Sequence, residues 1–316
     1  KRTLGMEAFA PVGPTAVTTG TFDGVHAGHR TILRRLQEAA AALGGASVVV
    51  TFDPHPRKIV HPEFPLQLLT TLEERAELLV EVGLDHLVIQ PFTPEFAAWS
   101  SLDFVRRGLV QHLDVRRLII GYDHHFGRNR EGTFAHLQEF GPVYGFEVEE
   151  IPPHEVDAVR VSSTKIRAEL LAGAVDRAAV WLTRPYFCTG TVESGARIGR
   201  GLGFPTANLG EIDPDKLLPK DGVYAVWVER LAPHFRGERL AAVANLGVRP
   251  TVDGSSRKLE AHVLEPGIAD LYGQALRVHF VARLRDELRF PDTEALKAQI
   301  AQDVEAARAA LRAARA

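Results

Sequence analysis

Two histidines three positions apart, His26 and His29, close the segment Gly20-Thr21-Phe22-Asp23-Gly24-Val25-His26-Ala27-Gly28-His29. A helical pattern follows, with Ile32, Leu33, Leu36, Ala39, Ala40 and Leu43 at spacings of three and four. A helix start offers unpaired N–H donors and the positive end of a dipole, so it attracts phosphate. Glycines such as Gly20 and Gly28 let a phosphate chain approach the backbone closely. Imidazoles placed there can donate hydrogen bonds to phosphoryl oxygens as charge develops on them. Two plainer readings stand beside this one. One histidine could cap the helix while the other is solvated, or both could meet on a metal, for which the spacing supplies no third ligand.

Three other segments carry polar chemistry. Ser162, Ser163 and Thr164 precede Arg167 by one helical turn; hydroxyls at a helix start cap N–H groups, and an arginine one turn on can fork onto a phosphate. The plain alternative is an ordinary cap with a solvated arginine. The run from Gly195 through Gly199, Gly201 and Gly203 to Phe204-Pro205-Thr206-Ala207-Asn208 is glycine-rich and basic. It has no Gly-Lys-[Ser/Thr] and is no P-loop, but it could wrap phosphates through backbone donors or be a flexible barrel loop. Glu260, in Leu259-Glu260-Ala261-His262, reads by itself as a solvated strand glutamate.

The elements that must position these residues differ between the halves. The first half alternates strands (16–22, 47–52, 87–89, 118–120 and 146–151) with helices (32–43, 72–82 and 102–113), which predicts a doubly wound α/β domain with ligands outside the carboxyl ends of its strands. The second half predicts strands at 187–193, 223–229, 240–246, 259–264 and 276–284, the last half-buried with a polar face, and hence an antiparallel barrel or sandwich. Pro291, Asp292 and Thr293 predict the start of a terminal helix. The boundary is expected at 183/184, giving domains 1–183 and 184–316.

Composition narrows the class. The chain has 316 residues, 45% hydrophobic and 24% charged, with a formal net charge of −3 and no long basic run, which argues against nucleic acid as partner. Its one cysteine, Cys188, excludes an intrachain disulfide and reads as a small buried residue. No apolar run reaches a membrane span, and 1–10 lacks the apolar core of a signal peptide. A cytoplasmic protein, monomeric or weakly homo-oligomeric, is expected. Its start at Lys1 rather than Met is expected of a chain that begins inside a longer one or after processing.

Together these segments resemble the bacterial bifunctional riboflavin kinase/FAD synthetase (FMN adenylyltransferase) family. The motifs are Thr21 to His29, Thr51-Phe52-Asp53-Pro54-His55-Pro56, Gly121-Tyr122-Asp123-His124-His125-Phe126-Gly127, Ser162 to Arg167, Pro205 to Asn208, the turn Asn245 to Thr251, Glu260 with its strand, Asp270 to Gly273, and Leu284-Arg285-Asp286-Glu287. The resemblance implies a Rossmann-like nucleotidyltransferase domain followed by a β-barrel kinase domain with a terminal helix. It implies ATP-dependent phosphorylation of riboflavin to FMN, then adenylyl transfer to give FAD and pyrophosphate, with Mg2+. By the same resemblance His26, His29, Arg167 and Glu260 are catalytic. ATP is met by Gly20, Phe22, Asp23, Gly28, Ser162, Ser163, Thr164, Gly199, Gly203, Pro205, Thr206 and Asn208, with Thr206 and Asn208 at the metal. Pro54, Pro56, Asp123, Phe126, Arg285 and Glu287 are the expected flavin contacts. His124 and His125 depart from the family pattern, which more often has an aromatic residue and then a polar one. A nucleotidyltransferase for another phosphate monoester and a flavin-sensing regulator are the alternatives; the Pro-Thr-Ala-Asn motif disfavours the first, and the second predicts FMN binding without ATP turnover.

Overall fold

The computed structural model describes residues 1–152, 161–193, 204–232, 237–251, 254–265 and 271–314. By its contacts the chain divides into two compact units, Lys1–Ser163 and Thr164–Ala316.

The first unit is a six-stranded parallel sheet made of β1 (Arg2–Leu4), β2 (Thr15–Thr19), β3 (Ala46–Asp53), β4 (His86–Pro91), β5 (Val115–Gly121) and β6 (Glu147–Ile151), in the order β1-β4-β3-β2-β5-β6. Its central strands are buried on both faces, so β3 reads as an unbroken run: Val48, Val49 and Val50 are all fully buried. The chain leaves β2 toward β3 on one side and returns to β5 on the other. The crevice at the carboxyl ends of β2 and β5 is therefore the topological switch point, where ligands bind in open α/β sheets. The strand expected over 16–22 stops at Thr19, because Phe22 and Val25 take positive φ values of 48° and 40°. Such angles end a strand and are strained for residues with a side chain. The first helix, Ala27–Leu43, ends on Gly44 in the left-handed conformation. Leu72–Glu81 begins with a reciprocal cap between Thr71 and Glu74. The helix expected at 102–113 is present, but Phe104–Val110 winds as a π-helix.

In the second unit, β7 (Tyr186–Glu193), β8 (Ala207–Gly210), β9 (Gly222–Arg230), β10 (Arg239–Thr251), β11 (Gly254–Val263) and β12 (Ala275–Arg285) close into an antiparallel barrel, β10-β11-β8-β7-β12-β9. Closure pairs each of these strands with two neighbours over part or all of its length. Helices Ser163–Ala172 and Val175–Leu182 precede the barrel, and the latter packs on β7 and β12. The sequence boundary at 183/184 lies just before β7; the contact division falls earlier, after Ser163 at the start of the first of these helices. Residues 245–251, expected to form a turn, lie in β10 and pair with β11, and with β9 as far as Leu246. The expected polar face of β12 is not solvated either: Arg277 and His279 are buried, Arg277 over the Phe187 ring at 4.4 Å and His279 Nε2 at 2.9 Å from Glu229. Partnered polar groups tolerate burial that unpaired ones do not.

The terminal helix, Thr293–Ala313, starts on Asp292, which accepts from the Ala295 N–H at 2.8 Å. Its Ala307 and Leu311 pack on Val223, Ala225, Trp227 and Val243, on the outside of the barrel. Asp303, buried on that helix, binds Arg285 through two bonds of 2.9 and 2.7 Å. Among the described residues no helix is long and apolar enough to cross a membrane. Removing one member of a buried pair strands the other, at a cost of about 3 kcal/mol. Asp303→Leu should therefore lower the unfolding free energy of the barrel by about that amount, and Arg285→Leu combined with Asp303→Leu by clearly less; denaturant titration of both variants checks this.

Candidate active sites

His26 precedes the first helix with extended backbone angles, φ −77° and ψ 175°, and its Nδ1 accepts the His29 N–H at 3.3 Å. A nitrogen that accepts carries no proton, so this bond assigns the ring proton to Nε2. The capping reading of the sequence thus holds for His26. It leaves the donor reading open, since capping uses Nδ1 alone. The His26 and His29 rings stack at 3.6 Å and 15°, with Phe22 5.1 Å from His29. Parallel rings do not converge their lone pairs on one centre, and among the described residues no three His, Cys, Asp or Glu are grouped for a metal.

The loop that carries these rings is braced from behind. Asp23, 1% exposed, accepts from the Leu69 and Thr70 N–H groups at 3.0 and 2.9 Å and from the Thr70 hydroxyl at 3.0 Å. The Thr70 hydroxyl accepts in turn from Gly24 N–H at 3.0 Å. Buried Arg75 donates to the carbonyls of Thr21 and Phe52, at 2.9 and 3.3 Å. Burial pushes its pKa down, against the raising pull of Asp23 and Asp53. The carboxylate of Asp23, expected beside ATP, is engaged in bracing the loop against Leu69 and Thr70. Phe22 is likewise buried and forms a floor under Gly20, whose Cβ would lie 3.2 Å from the ring. Gly28 is buried in the first turn of the helix. Thr70 and Arg75 escaped the sequence reading because nothing local ties them to the loop.

The Ser163 hydroxyl donates to the Asp23 carbonyl at 3.0 Å, tying the serine motif to the same loop. Ser162 is half-buried and Thr164 exposed; Arg167 follows one turn along the helix, in the second contact-defined unit. After β3 come exposed Pro54, behind a cis Asp53–Pro54 bond, and Pro56, which opens the short helix Pro56–Val60 capped by His55. After β5, Asp123 is exposed, whereas Phe126 sits in the hydrophobic core 5.5 Å from Phe104. Phe126, expected to line a flavin, is thus first a core residue. His124 bridges the two strands of the switch point: its Nε2 lies 3.3 Å from the Thr19 hydroxyl and its ring stacks 5.9 Å from Phe126. Burial, helped by nearby His125 and Arg130, pushes its pKa down to about 4.

The second constellation comes from strand register. Directly opposed residues of antiparallel strands share a face. Glu193 opposes Asn208, Asn208 opposes Glu260, Glu260 opposes Asn245, and Asn245 opposes Val223. Val223 lies under the terminal helix, so this polar row runs across the barrel's outer face toward that helix. Asn245 Nδ2 donates to Glu287 Oε1 at 3.3 Å, and Gly247 leaves the room Glu287 fills, since a Cβ there would lie 2.1 Å from Oε1. Thr206, half-buried, and Pro205, exposed, lie just before β8. Arg285, expected at the flavin, has its guanidinium held by Asp303 and by the Asp286 carbonyl, so its position is that of a clasp. Gly199, Gly203 and Asp270 lie outside the described residues.

The chain thus combines a parallel α/β sheet, with a histidine-capped helix at its switch point, and a closed barrel with a polar outer row. Residues 10–165 match the family model described as FAD synthetase, and residues 182–311 the model described as riboflavin kinase. Curated relatives include the bifunctional riboflavin kinase/FMN adenylyltransferase of Pseudomonas fluorescens, 42% identical over 92% of this chain and 91% of its own. That of Escherichia coli K12 is 39% identical over 93% and 92%. A solved structure titled as a macrolide-efflux protein of Streptococcus pneumoniae superposes with a TM-score of 0.86 at 28% identity, covering 97% of this chain and 98% of that one. The chain belongs to the bifunctional riboflavin kinase/FMN adenylyltransferase family, and is a kinase and nucleotidyltransferase of flavin cofactor synthesis.

The depressed pKa of His124 has a thermodynamic consequence. Between about pH 6.5 and 4 the unfolded chain binds a proton at this position that the folded chain refuses, so its contribution to stability falls as pH falls through that window. The full loss is roughly 3 kcal/mol. His124→Phe should flatten the decline of the denaturation midpoint from pH 6.5 to 4 relative to the parent; identical declines would contradict the assignment.

Proposed function

We propose that this member of the family runs its two reactions at two separate constellations: phosphorylation of riboflavin in 184–316 and adenylyl transfer to FMN in 1–183. The observation that carries the reading is the register that sets Glu260 between Asn208 and Asn245 on one face. There Glu260 takes the proton of the riboflavin 5′-hydroxyl as that oxygen attacks the γ-phosphorus of ATP, and ADP leaves. Thr206 and Asn208 supply neutral oxygen donors. Such a sparse set suits Mg2+, which keeps several waters and leans on substrate phosphates; when bound it offsets phosphate charge. Pro205, Gly199 and Gly203 are assigned to the ATP side, and Glu287, through Asn245, to the flavin side.

In the other constellation an FMN phosphate oxygen, already anionic, attacks the α-phosphorus of a second ATP and pyrophosphate leaves, so no strong base is needed. His26 donates from Nε2 to the charge that develops, and His29, Gly20, Gly28, Ser162, Ser163 and Thr164 position the triphosphate. Arg167, on the helix that Ser163 opens, adds charge. Asp123, Pro54 and Pro56 face the flavin side of the crevice. Dependence on ATP for both steps agrees with a cytoplasmic setting, and one chain carries all the groups both steps use, so a monomer or weak homo-oligomer suffices.

Glu260→Gln should abolish FMN formation while added FMN is still converted to FAD; His29→Ala should do the reverse. Chromatography of flavins from each variant incubated with Mg-ATP reads both, and a folded variant that loses both steps contradicts the two-site reading. His26→Asn should separate the two uses of that ring. Asparagine also caps helices, so the thermal midpoint stays near the parent's while adenylyl transfer falls by about a hundredfold or more.

A further inference from the structure

His262 plays no part in the chemistry assigned above, yet it lies two residues beyond Glu260 on the same face of β11. Its Nδ1 is 2.8 Å from the carbonyl oxygen of Pro205, and its ring meets that of Phe204 edge-on, with centroids 5.4 Å apart and planes at 84°. A carbonyl only accepts, so Nδ1 carries the proton and donates. The β8–β11 ladder has its last pair at Ala207 and Ala261. It cannot run on through Pro205, which has no N–H to give. Beyond that pair the imidazole makes a bond to this stretch from the side chain of the strand that holds Glu260.

We propose that His262 is a positioning residue for riboflavin phosphorylation: by holding the Pro205 carbonyl it fixes the peptide plane leading into Thr206, and so the distance between the Thr206/Asn208 donors and Glu260. This rests on the reading of that row as the kinase site. Loss of the bond loosens the segment that grips the ATP phosphates while leaving Glu260 itself in place. The effect therefore falls on the KM for Mg-ATP more than on that for riboflavin.

The test uses two variants of the full chain. His262→Phe keeps a ring against Phe204 but removes the donor; His262→Asn places an amide N–H near the position of Nδ1. The expected result is a KM for Mg-ATP raised roughly tenfold in His262→Phe, as for one lost hydrogen bond of about 1.4 kcal/mol. His262→Asn should stay within about threefold of the parent, and FMN adenylylation should be unchanged in both. A parent-like KM in a folded His262→Phe, or equal impairment in the two variants, overturns the proposal. Nitrogen NMR of the His262 ring in the parent decides independently of variant folding: the Nδ1–H tautomer supports the proposal and the Nε2–H tautomer overturns it. The underlying site reading fails separately, if Glu260→Gln and Thr206→Ala keep full kinase activity.

Discussion

A closed barrel permits no slip of one strand past another. Moving β8 by one residue against β11 would turn Asn208 away from Glu260 and present Ala207 in its place. Every strand in the ring is paired on both sides, so a shift in one register would have to be absorbed by all. That constraint puts Asn208, Glu260 and Asn245 in one row, and it sets where the terminal helix can lie, because Val223 at the end of the row is part of the helix's seat. The Arg285–Asp303 pair then locks the helix to β12. The outer face thus supplies both the polar row and the surface that stabilises the fold.

The parallel sheet solves a different problem. The turn after β2 is a loop, and loops hold their shape only when something outside them does the holding. Phe22 and Val25 keep positive φ angles that cost energy, and Asp23, Thr70 and Arg75 offset that cost with buried bonds to the loop and its neighbours. The loop then delivers His26 to the helix start, where one nitrogen satisfies the helix and the other keeps the proton.

Much of this was legible in the sequence where signals are local. The change of period from helix–strand alternation to two-residue alternation marked both architectures. His26, Ser163 and Asp292 lie at the helix starts their residue types predict. What was not legible depends on partners far away in the chain. Asp23 reads as one more loop residue until Leu69 and Thr70 are found against it. Nor does anything local reveal that Arg285 pairs with Asp303, one acid on a charged amphipathic helix. Residues 245–251 are expected to be a turn from the motif they match. The ladder with β11 overrides that expectation, and Gly247 is there to admit Glu287. His262 was visible as an alternate residue on the strand of Glu260, but its bond to Pro205 depends on how β8 meets β11.

If the two reactions use separate residues, FMN must pass between them. The most direct test of this mixes two crippled full-length chains, one carrying Glu260→Gln and the other His29→Ala, with riboflavin and Mg-ATP, and follows FAD over time. Each chain alone should make no FAD from riboflavin. The mixture should make it after a lag, as FMN from the His29→Ala chain reaches the intact adenylylation site of the Glu260→Gln chain. A mixture of folded chains that makes no FAD, or either chain alone that does, would contradict the account.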